Sequence, residues 1–273
     1  MKKKTLFTIL GLLIIIVIGI IVRNCSETLK PLNKPESVAF DPSNNRFLIS
    51  NVGSGSIAAM DSLGNYSIFL NKLFEAPKGI IVRHGRLYVT DPQTIHVVDI
   101  AKEEIIQNYD IDGAIALNDI AFGDNNRLYI TDSKANCVFV LDMNNGKQDK
   151  IVSQLFDSPN GIVYDRPRWQ MFVVNYAKHS PVLSLDTRDH SVSIFMDTMY
   201  SMLDGIAIDD RGRIYFGSWE DDMIVQIPQE QNRFLTDLTG YRGAADFFYH
   251  LPTNELIVPM LNKNTIERIK LEP

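Results

Sequence analysis

The sequence is poor in the residues that build disulfide networks and zinc sites. It has two cysteines, Cys25 and Cys137, and five histidines that are scattered along the chain. No Cys/His cluster has zinc-binding spacing, and no Ser or Cys stands with a histidine in a recognisable nucleophile motif. Cys137 lies within an apolar strand pattern, so we expect a buried and unreactive thiol.

Positive charge is also scarce beyond the N-terminus. The net charge is −6, and residues 1–30 carry +4, which leaves −10 for residues 31–273. That remainder would repel a nucleic acid, and no basic stripe with interleaved aromatic residues offsets it. We therefore expect no nucleic-acid partner, and the sign of the charge says nothing about the small-molecule substrate that the motifs below predict. Because 45% of the residues are apolar, the chain can bury a large core.

One hydrophobic run stands apart from the rest of the chain. Three lysines at positions 2–4 precede 18 uncharged residues, 5–22. A helix of that length reaches about 27 Å, close to the bilayer core, and the lysines favour a cytoplasmic N-terminus. We predict that residues 1–25 form an uncleaved single-pass anchor, with the remainder on the periplasmic or extracellular side. A lipoprotein acylated at Cys25 and a cleaved signal are the alternatives.

Long helical patterns are absent after the anchor, and a repeat takes their place. Residues 35–272 hold six units of about 40 residues. The third unit has short β-type runs, separated by Gly, Asn and Asp turns, at 120–122, 127–132, 137–142 and 150–153. Stacked β-sandwiches would not give this period. The pattern predicts an all-β fold, a six-bladed β-propeller.

The last unit ends after its third strand-like run, at 265–271. We therefore expect residues 27–32 to supply the missing outer strand and to close the ring. The predicted organisation is an anchor at 1–25, a linker or closing strand at 26–34, and the propeller at 35–272.

Every unit begins with a related phrase, such as Leu203-Asp204-Gly205-Ile206, in which one polar position varies. That position stands just ahead of the first apolar run of its unit. In chain order it is occupied by Glu36, Lys78, Asn118, Asn160, Asp204, and either Ala245 or Asp246. Because the first strands of a propeller line its central channel, we expect these positions to converge at one mouth of the channel.

Four of these positions carry oxygen donors, namely Glu36, Asn118, Asn160 and Asp204. A set of carboxylate and amide oxygens without sulfur or imidazole suits Ca²⁺ better than zinc or copper. Ca²⁺ takes about 6–8 oxygens, which leaves room for water or substrate. The alternative is that the Asn-Gly and Asp-Gly pairs are only turn residues, but turn chemistry does not require Glu36.

The phrases around Asn118-Asp119, Pro159-Asn160-Gly161-Ile162 and Leu203-Asp204-Gly205-Ile206, with Glu36 ahead of the first run, resemble a known family. It is the senescence marker protein/gluconolactonase/luciferin-regenerating enzyme family of regucalcin-like six-bladed propellers, and the resemblance spans about 35–272. It implies that Glu36, Asn160 and Asp204 bind a catalytic divalent cation, usually Ca²⁺. Asn118 would be a ligand or a substrate contact, and Asp204 the general base or nucleophile. The implied reaction is hydrolysis of a lactone or related ester.

Two positions depart from that family's pattern. Ala116 stands where the sugar-lactonase members have an arginine, which argues against gluconolactone as the substrate. Lys78 occupies the second-unit position, where it could repel Ca²⁺, pair with Glu36 or Asp204, or point outward. An outward orientation is the more usual one for a lysine.

Further residues complete the predicted substrate pocket. His179 and Trp219 lie in matching loops after the second strands of their units, and they join Asn118, Lys78 and Asp246. Packing between blades is the alternative role for Trp219. The alternative function is a non-catalytic NHL-like propeller that binds a protein or a glycan through its channel face.

Overall fold

The structure, a computed structural model, describes residues 31–230 and 235–272, with the backbone alone at 235–237. The predicted anchor at 1–25 and residues 27–30 of the predicted closing strand therefore lie outside the described residues. Within the described ranges, no helix has the length and apolar character needed to cross a membrane. All strands belong to the unit that begins at Leu32.

The first three sheets each contain four antiparallel strands. The first sheet comprises β1 (Pro35–Asp41), β2 (Arg46–Asn51), β3 (Ser56–Asp61) and β4 (Tyr66–Leu70). The second comprises β5 (Ile80–Arg83), β6 (Arg86–Asp91), β7 (Thr94–Asp99) and β8 (Glu104–Asp110). The third comprises β9 (Leu117–Phe122), β10 (Arg127–Asp132), β11 (Cys137–Asp142) and β12 (Gln148–Val152).

The next two sheets repeat this plan, and the last one is shorter. The fourth sheet comprises β13 (Pro159–Asp165), β14 (Gln170–Asn175), β15 (Val182–Asp186) and β16 (Val192–Met196). The fifth comprises β17 (Leu203–Ile208), β18 (Ile214–Ser218), β19 (Met223–Ile227) and β20 (Leu235–Thr239). The sixth comprises β21 (Phe248–His250), β22 (Glu255–Met260) and β23 (Thr265–Lys270). Single 3-10 turns lie at Asp124–Asn126, Arg166–Arg168 and Leu251–Thr253.

The sheets are the blades of the predicted six-bladed propeller. In every blade the strands pair in chain order, and the sixth blade has three strands among the described residues. The first strand of one blade contacts the first strand of the next, as β13 does with β9 and β17. These first strands therefore surround the central channel, as the repeat predicts.

Apolar side chains between neighbouring blades form the core. Leu48 and Ile57 of the first blade pack with Leu87 and Val89 of the second, and all four are fully buried. Burying a side chain of this kind contributes about 1.5–3 kcal/mol. Cys137 belongs to the corresponding core of the third blade as a free thiol, and burial raises its pKa to about 11. The expectation of a buried cysteine is confirmed.

Carboxylates at the ends of second strands fix the loops that lead to the channel. Asp91 accepts hydrogen bonds from the backbone N–H groups of Glu75 and Ala76, at 2.8 and 2.6 Å. Asp132 accepts one from Ile115 N at 2.7 Å. These bonds satisfy loop amides that would otherwise be unpaired, and they hold the residues just before the first strands in place.

Candidate metal centre

Backbone bulges in the first strands of four blades redirect the side chains of the candidate ligands. In the first blade, Pro35 pairs with Asn51 and the next pair is Val38 with Ile49, so that Glu36 and its neighbour face a single residue. The same shift occurs at Asn118, Asn160 and Asp204. Two residues opposite one define a β-bulge, which bends the strand and redirects a side chain. The candidate ligands therefore lie inside the first strands, and not ahead of them as the sequence pattern suggests.

Hydrogen bonds between blades bring the variable positions together in a ring. Asn118 O accepts from Gly79 N at 2.9 Å and from Thr90 Oγ1 at 2.5 Å. Asn160 O accepts from Thr131 Oγ1 at 2.6 Å. In the same way, Glu36 O accepts a 2.9 Å bond from Asp246 N of the sixth blade. The backbone at each of these positions is thus fixed by the preceding blade.

The glycines that follow ring positions are required by close approach. A Cβ at Gly161 would lie 2.3 Å from Asp204 O, and a Cβ at Gly205 would lie 2.4 Å from Ala245 O. These distances are far inside van der Waals contact, and the obstructing atoms are backbone. Asn160-Gly161 and Asp204-Gly205 therefore mark strand bulges that touch the next blade, and the interpretation of these pairs as turns is wrong.

Four oxygen atoms of the ring are buried and receive no hydrogen bond from any described residue. They belong to the four candidate ligands and are Glu36 Oε2, Asn118 Oδ1, Asn160 Oδ1 and Asp204 Oδ1. Their side chains are 3–6% exposed. A buried oxygen without a donor costs about 1–3 kcal/mol, so four in one ring require an explanation. A bound cation supplies one, because each oxygen would then be a ligand.

Neighbouring polar groups orient the two amides. Asn118 Nδ2 donates to Ser133 Oγ at 2.8 Å, and Ser133 Oγ donates in turn to Pro159 O at 2.9 Å. This contact fixes the orientation of the amide and leaves Asn118 Oδ1 without a hydrogen-bond partner. Asn160 hydrogen bonds to the carboxylate of Asp204, and this contact lowers the pKa of Asp204. Ser133 was not identified from the sequence, where it is an ordinary turn residue.

The carboxylates of the ring are strongly perturbed. Burial raises the pKa of Asp204 to about 7, against the lowering effects of Lys78, Trp219 and Asn160. Burial also raises the pKa of Glu36 well above its usual value, and the positive charge of Lys78 opposes that rise. Both carboxylates thus need positive charge when ionised.

Lys78 supplies part of that charge. Its side chain is half-buried, and its charge favours the ionised forms of both Glu36 and Asp204. Among the described residues, none forms an ion pair with Lys78 within 4.0 Å. The lysine thus forms no direct ion pair with either carboxylate, although its charge acts on both. Its outward orientation stays a prediction.

The sixth ring position is Ala245. Its N–H donates to Pro259 O at 2.9 Å, as the N–H of Lys78 donates to Thr90 O at 3.0 Å in the second blade. Asp246 therefore lies one residue beyond the ring, one level further into the channel. The ring thus contains four oxygen donors, one lysine and one alanine.

Asp246 meets a second carboxyl at this lower level. Asp119, the residue after Asn118, accepts hydrogen bonds from Ile120 N and Ile162 N at 2.6 and 2.7 Å. Asp119 also lies within hydrogen-bonding reach of Asp246. Burial raises the pKa of Asp119 to about 8, and burial together with the charge of Asp119 raises that of Asp246 well above its usual value.

Aromatic residues border the ring. Trp219 Nε1 donates to Ala244 O at 2.7 Å, and the ring of Trp219 meets that of Tyr176 edge-on, with centroids 5.8 Å apart. The charge of Asp204 helps to raise the pKa of Tyr176, which places this tyrosine near the ring. His179 is exposed, with Nδ1 3.2 Å from Met199 O. Tyr176 lies in the same loop as His179, and the sequence analysis selected the histidine from that loop instead.

The donor set fits a hard cation. Across residues 31–230 and 235–272, no three His, Cys, Asp or Glu side chains cluster in a way that could hold a metal ion. The ring instead combines two carboxylates with two amide oxygens, a mixture that suits Ca²⁺ and does not suit zinc.

Comparison with known proteins identifies the family. Residues 34–237 match the model of the SMP-30/gluconolactonase/LRE-like region. The chain belongs to this family. The resemblance inferred from the ring phrases is thereby confirmed, while a search of curated proteins found no match.

Solved structures share the fold at low identity. A gluconolactonase from Xanthomonas campestris is 14% identical, with a TM-score of 0.75 over 87% of this chain and 86% of that one. A virginiamycin B lyase from Staphylococcus aureus, determined with quinupristin, is 14% identical, with a TM-score of 0.69 over 87% and 80%. A chain from a nidogen/laminin complex is 14% identical, with a TM-score of 0.68 over 83% and 93%. At this identity, these structures share only the propeller fold with the chain.

Proposed function

We propose that the protein is a divalent-cation-dependent hydrolase of lactone or ester substrates, with Ca²⁺ as the best-fitting ion. The observation that carries this proposal is the set of four buried oxygens without donors on Glu36, Asn118, Asn160 and Asp204. Membership of a gluconolactonase-like family supports the reaction class.

The four ring residues would hold the ion, and a bound cation would polarise the carbonyl oxygen of the substrate. Asp204 would take the proton of the attacking water, as the resemblance to the family implies. Its pKa of about 7 belongs to the metal-free ring, and a bound cation would lower it. Asn118 is held by Ser133, so it would keep its oxygen toward the ring in every step.

The surroundings suggest a compact substrate. Trp219 and Tyr176 would form an aromatic wall beside Asp204, and Lys78 would face an electron-rich part of the substrate. Ala116 is half-buried where sugar-lactonase members have an arginine, so we expect a lactone or ester other than gluconolactone.

Calorimetry tests the metal first. After treatment with a chelator, the full chain is titrated with Ca²⁺, and Glu36→Gln and Asp204→Asn are titrated alongside. We expect binding by the wild type and a loss of at least about tenfold in either variant, since each removes a charged ligand. A wild type that binds no Ca²⁺ at millimolar concentration would refute the proposal and favour the non-catalytic, NHL-like alternative.

Catalysis is tested next with a panel of lactones and aryl esters. We expect Ca²⁺-dependent hydrolysis of at least one substrate by the wild type, and its loss in Asp204→Asn. Activity that survives this substitution would show that Asp204 is not the base.

We also propose that residues 1–25 anchor the protein in a membrane, with the propeller on the exported side. The 18 uncharged residues at 5–22 support this. Cell fractionation should find the protein in membranes with its N-terminal residues intact. A Cys25→Ser variant should keep the same location and differ only by the mass of the substitution. Any other change of mass in the variant would indicate a lipoprotein, and a chain that is shortened to the same extent with or without Cys25 would indicate an ordinary cleaved signal.

A further inference from the structure

A cavity occupies the channel on the side opposite to the ring. Its volume is about 720 Å³, within the range of small-molecule sites. None of the six ring residues lines it, but Asp119 and Asp246 do. These two carboxyls therefore form its closed end and separate it from the candidate metal centre.

The walls of this cavity are apolar at successive levels. In every blade, the residue two positions after the ring residue is apolar and lines the cavity. These residues include Ile120, Ile162 and Ile206. Four residues beyond the ring, the set is again apolar or aromatic and includes Tyr164 and Tyr249. At a rise of about 3.3 Å per residue, the second level lies about 13 Å below the ring. A ligand with a hydrocarbon body would match these walls.

The closed end of the cavity is polar. Asp246 Oδ2 accepts a 2.5 Å hydrogen bond from Ser37 Oγ, and both oxygens of Asp119 accept backbone N–H groups. Asp246 lies deep in the channel, yet it keeps accessible surface, because it faces the cavity. The charged groups that act on these two carboxyls are themselves carboxylates, Glu36 and Asp204. Lys78 acts on the ring carboxylates above and is not among them.

We propose that this cavity binds a small apolar amine, with its ammonium group at Asp119 and Asp246 and its hydrocarbon chain against the apolar walls. An ammonium group would bring the positive charge that an ionised carboxyl pair lacks, and it would donate hydrogen bonds on the side of Asp246 that is open to the cavity. A hydrated metal ion would match the carboxyls at the closed end, but its water molecules would lie against apolar side chains that cannot form hydrogen bonds. The site is distinct from the proposed hydrolase centre, which lies on the other side of the carboxyl pair.

The test is calorimetric titration of the chelator-treated full chain with n-hexylamine, with 1-hexanol as a neutral probe of the same shape. We expect n-hexylamine to bind at least about tenfold more tightly than 1-hexanol, since only the amine makes charged hydrogen bonds. Asp246→Asn, measured in the same medium, should bind the amine at least about tenfold more weakly. Ser133→Ala, which frees a ring amide without changing any charge, should leave amine binding within about threefold of wild type.

The outcomes separate the two sites. Equal binding of amine and alcohol, an unchanged affinity in Asp246→Asn, or no amine binding at millimolar concentration would overturn the proposal. Displacement of the amine by Ca²⁺ would place a metal ion at the carboxyl pair and would overturn it as well. The far-UV circular dichroism spectrum of Asp246→Asn, which should match that of the wild type, serves as the check on folding. Ca²⁺ titration of the wild type tests the ring without reference to the amine.

Discussion

Replacing Lys78 by methionine should make the protein bind Ca²⁺ more tightly. The lysine stands at a ring position, and its charge acts on both Glu36 and Asp204. A cation bound by these carboxylates would therefore share the ring with a second positive charge. Methionine keeps much of the length and apolar character of the lysine stem, so the substitution removes the charge and little else.

The magnitude follows from Coulomb's law. With no ion pair within 4.0 Å, a separation of roughly 6 Å between Lys78 Nζ and the cation is a reasonable scale. A unit charge and a double charge at that distance repel by about 1.4 kcal/mol in water and about 5.5 kcal/mol at an effective dielectric constant of 20. Lys78 is half-buried and can move toward solvent, so the lower value applies. We expect about tenfold tighter binding.

The pH of the assay decides the size of the observed effect. The charge of Lys78 lowers the pKa values of Glu36 and Asp204, so its removal raises them and lets protons compete better with Ca²⁺. The gain in affinity should therefore be largest at pH 8.5 and smaller at pH 6. Calorimetry at both values measures this. Lys102→Met is the matched control, because Lys102 is exposed at the turn between β7 and β8 and its replacement changes the net charge equally.

Two outcomes would refute this reasoning. Weaker binding by Lys78→Met at pH 8.5 would mean that the lysine organises the carboxylates for the cation. An equal gain in Lys102→Met would mean that the effect is one of net charge and does not depend on the ring.

Three further predictions test the ring. The chelator-treated protein should melt at lower temperature as the pH rises from 5 to 8.5, because burial raises the pKa of Asp204 from its usual value to about 7 and the neutral form is lost over this range. Ca²⁺ should raise the melting temperature more at pH 8.5 than at pH 5. The opposite order would contradict the site. Ser133→Ala should weaken Ca²⁺ binding about 10-fold or more by freeing the amide of Asn118, with the exposed Ser62→Ala, in the turn between β3 and β4, as the control in calorimetry. Gly161→Ala should cost about 3 kcal/mol in denaturant unfolding because its Cβ would meet Asp204 O, whereas Gly212→Ala, which meets nothing, should cost about 1 kcal/mol from its positive φ alone; similar losses would show that the close approach is relieved.

The blades were predictable because they depend on features that repeat. The runs at Arg127–Asp132 and Cys137–Asp142 match β10 and β11 residue for residue, since both strands are apolar and bounded by turn residues. The first strand was not predicted as well. β9 begins at Leu117, three residues before the apolar run at 120, because the bulge carries the strand past Asn118. Periodicity shows apolar runs, and it does not show a bulge that contains polar residues.

The candidate site also has parts that the sequence predicts and parts that it does not. The repeated phrase was enough to select Glu36, Asn118, Asn160 and Asp204, because their position in the repeat determines their place in the channel. The influence of Lys78 on the ring was not predictable, because its charge acts on two carboxylates that are far away in sequence. The choice between Ala245 and Asp246 required the backbone pairing with β22, since a shift of one residue exchanges the ring for the level below it.

That one-residue shift links the two sites of the channel. A bulge places two consecutive residues opposite one, so each blade offers one side chain to the ring and the next one to the lower level. In the third blade both are used, because Asn118 lies in the ring and Asp119 lies in the carboxyl pair. A substitution at Asp119 would therefore also disturb a candidate metal ligand. In the sixth blade the ring position is Ala245, which offers no ligand, so Asp246 is the carboxyl whose replacement can separate the functions of the two faces.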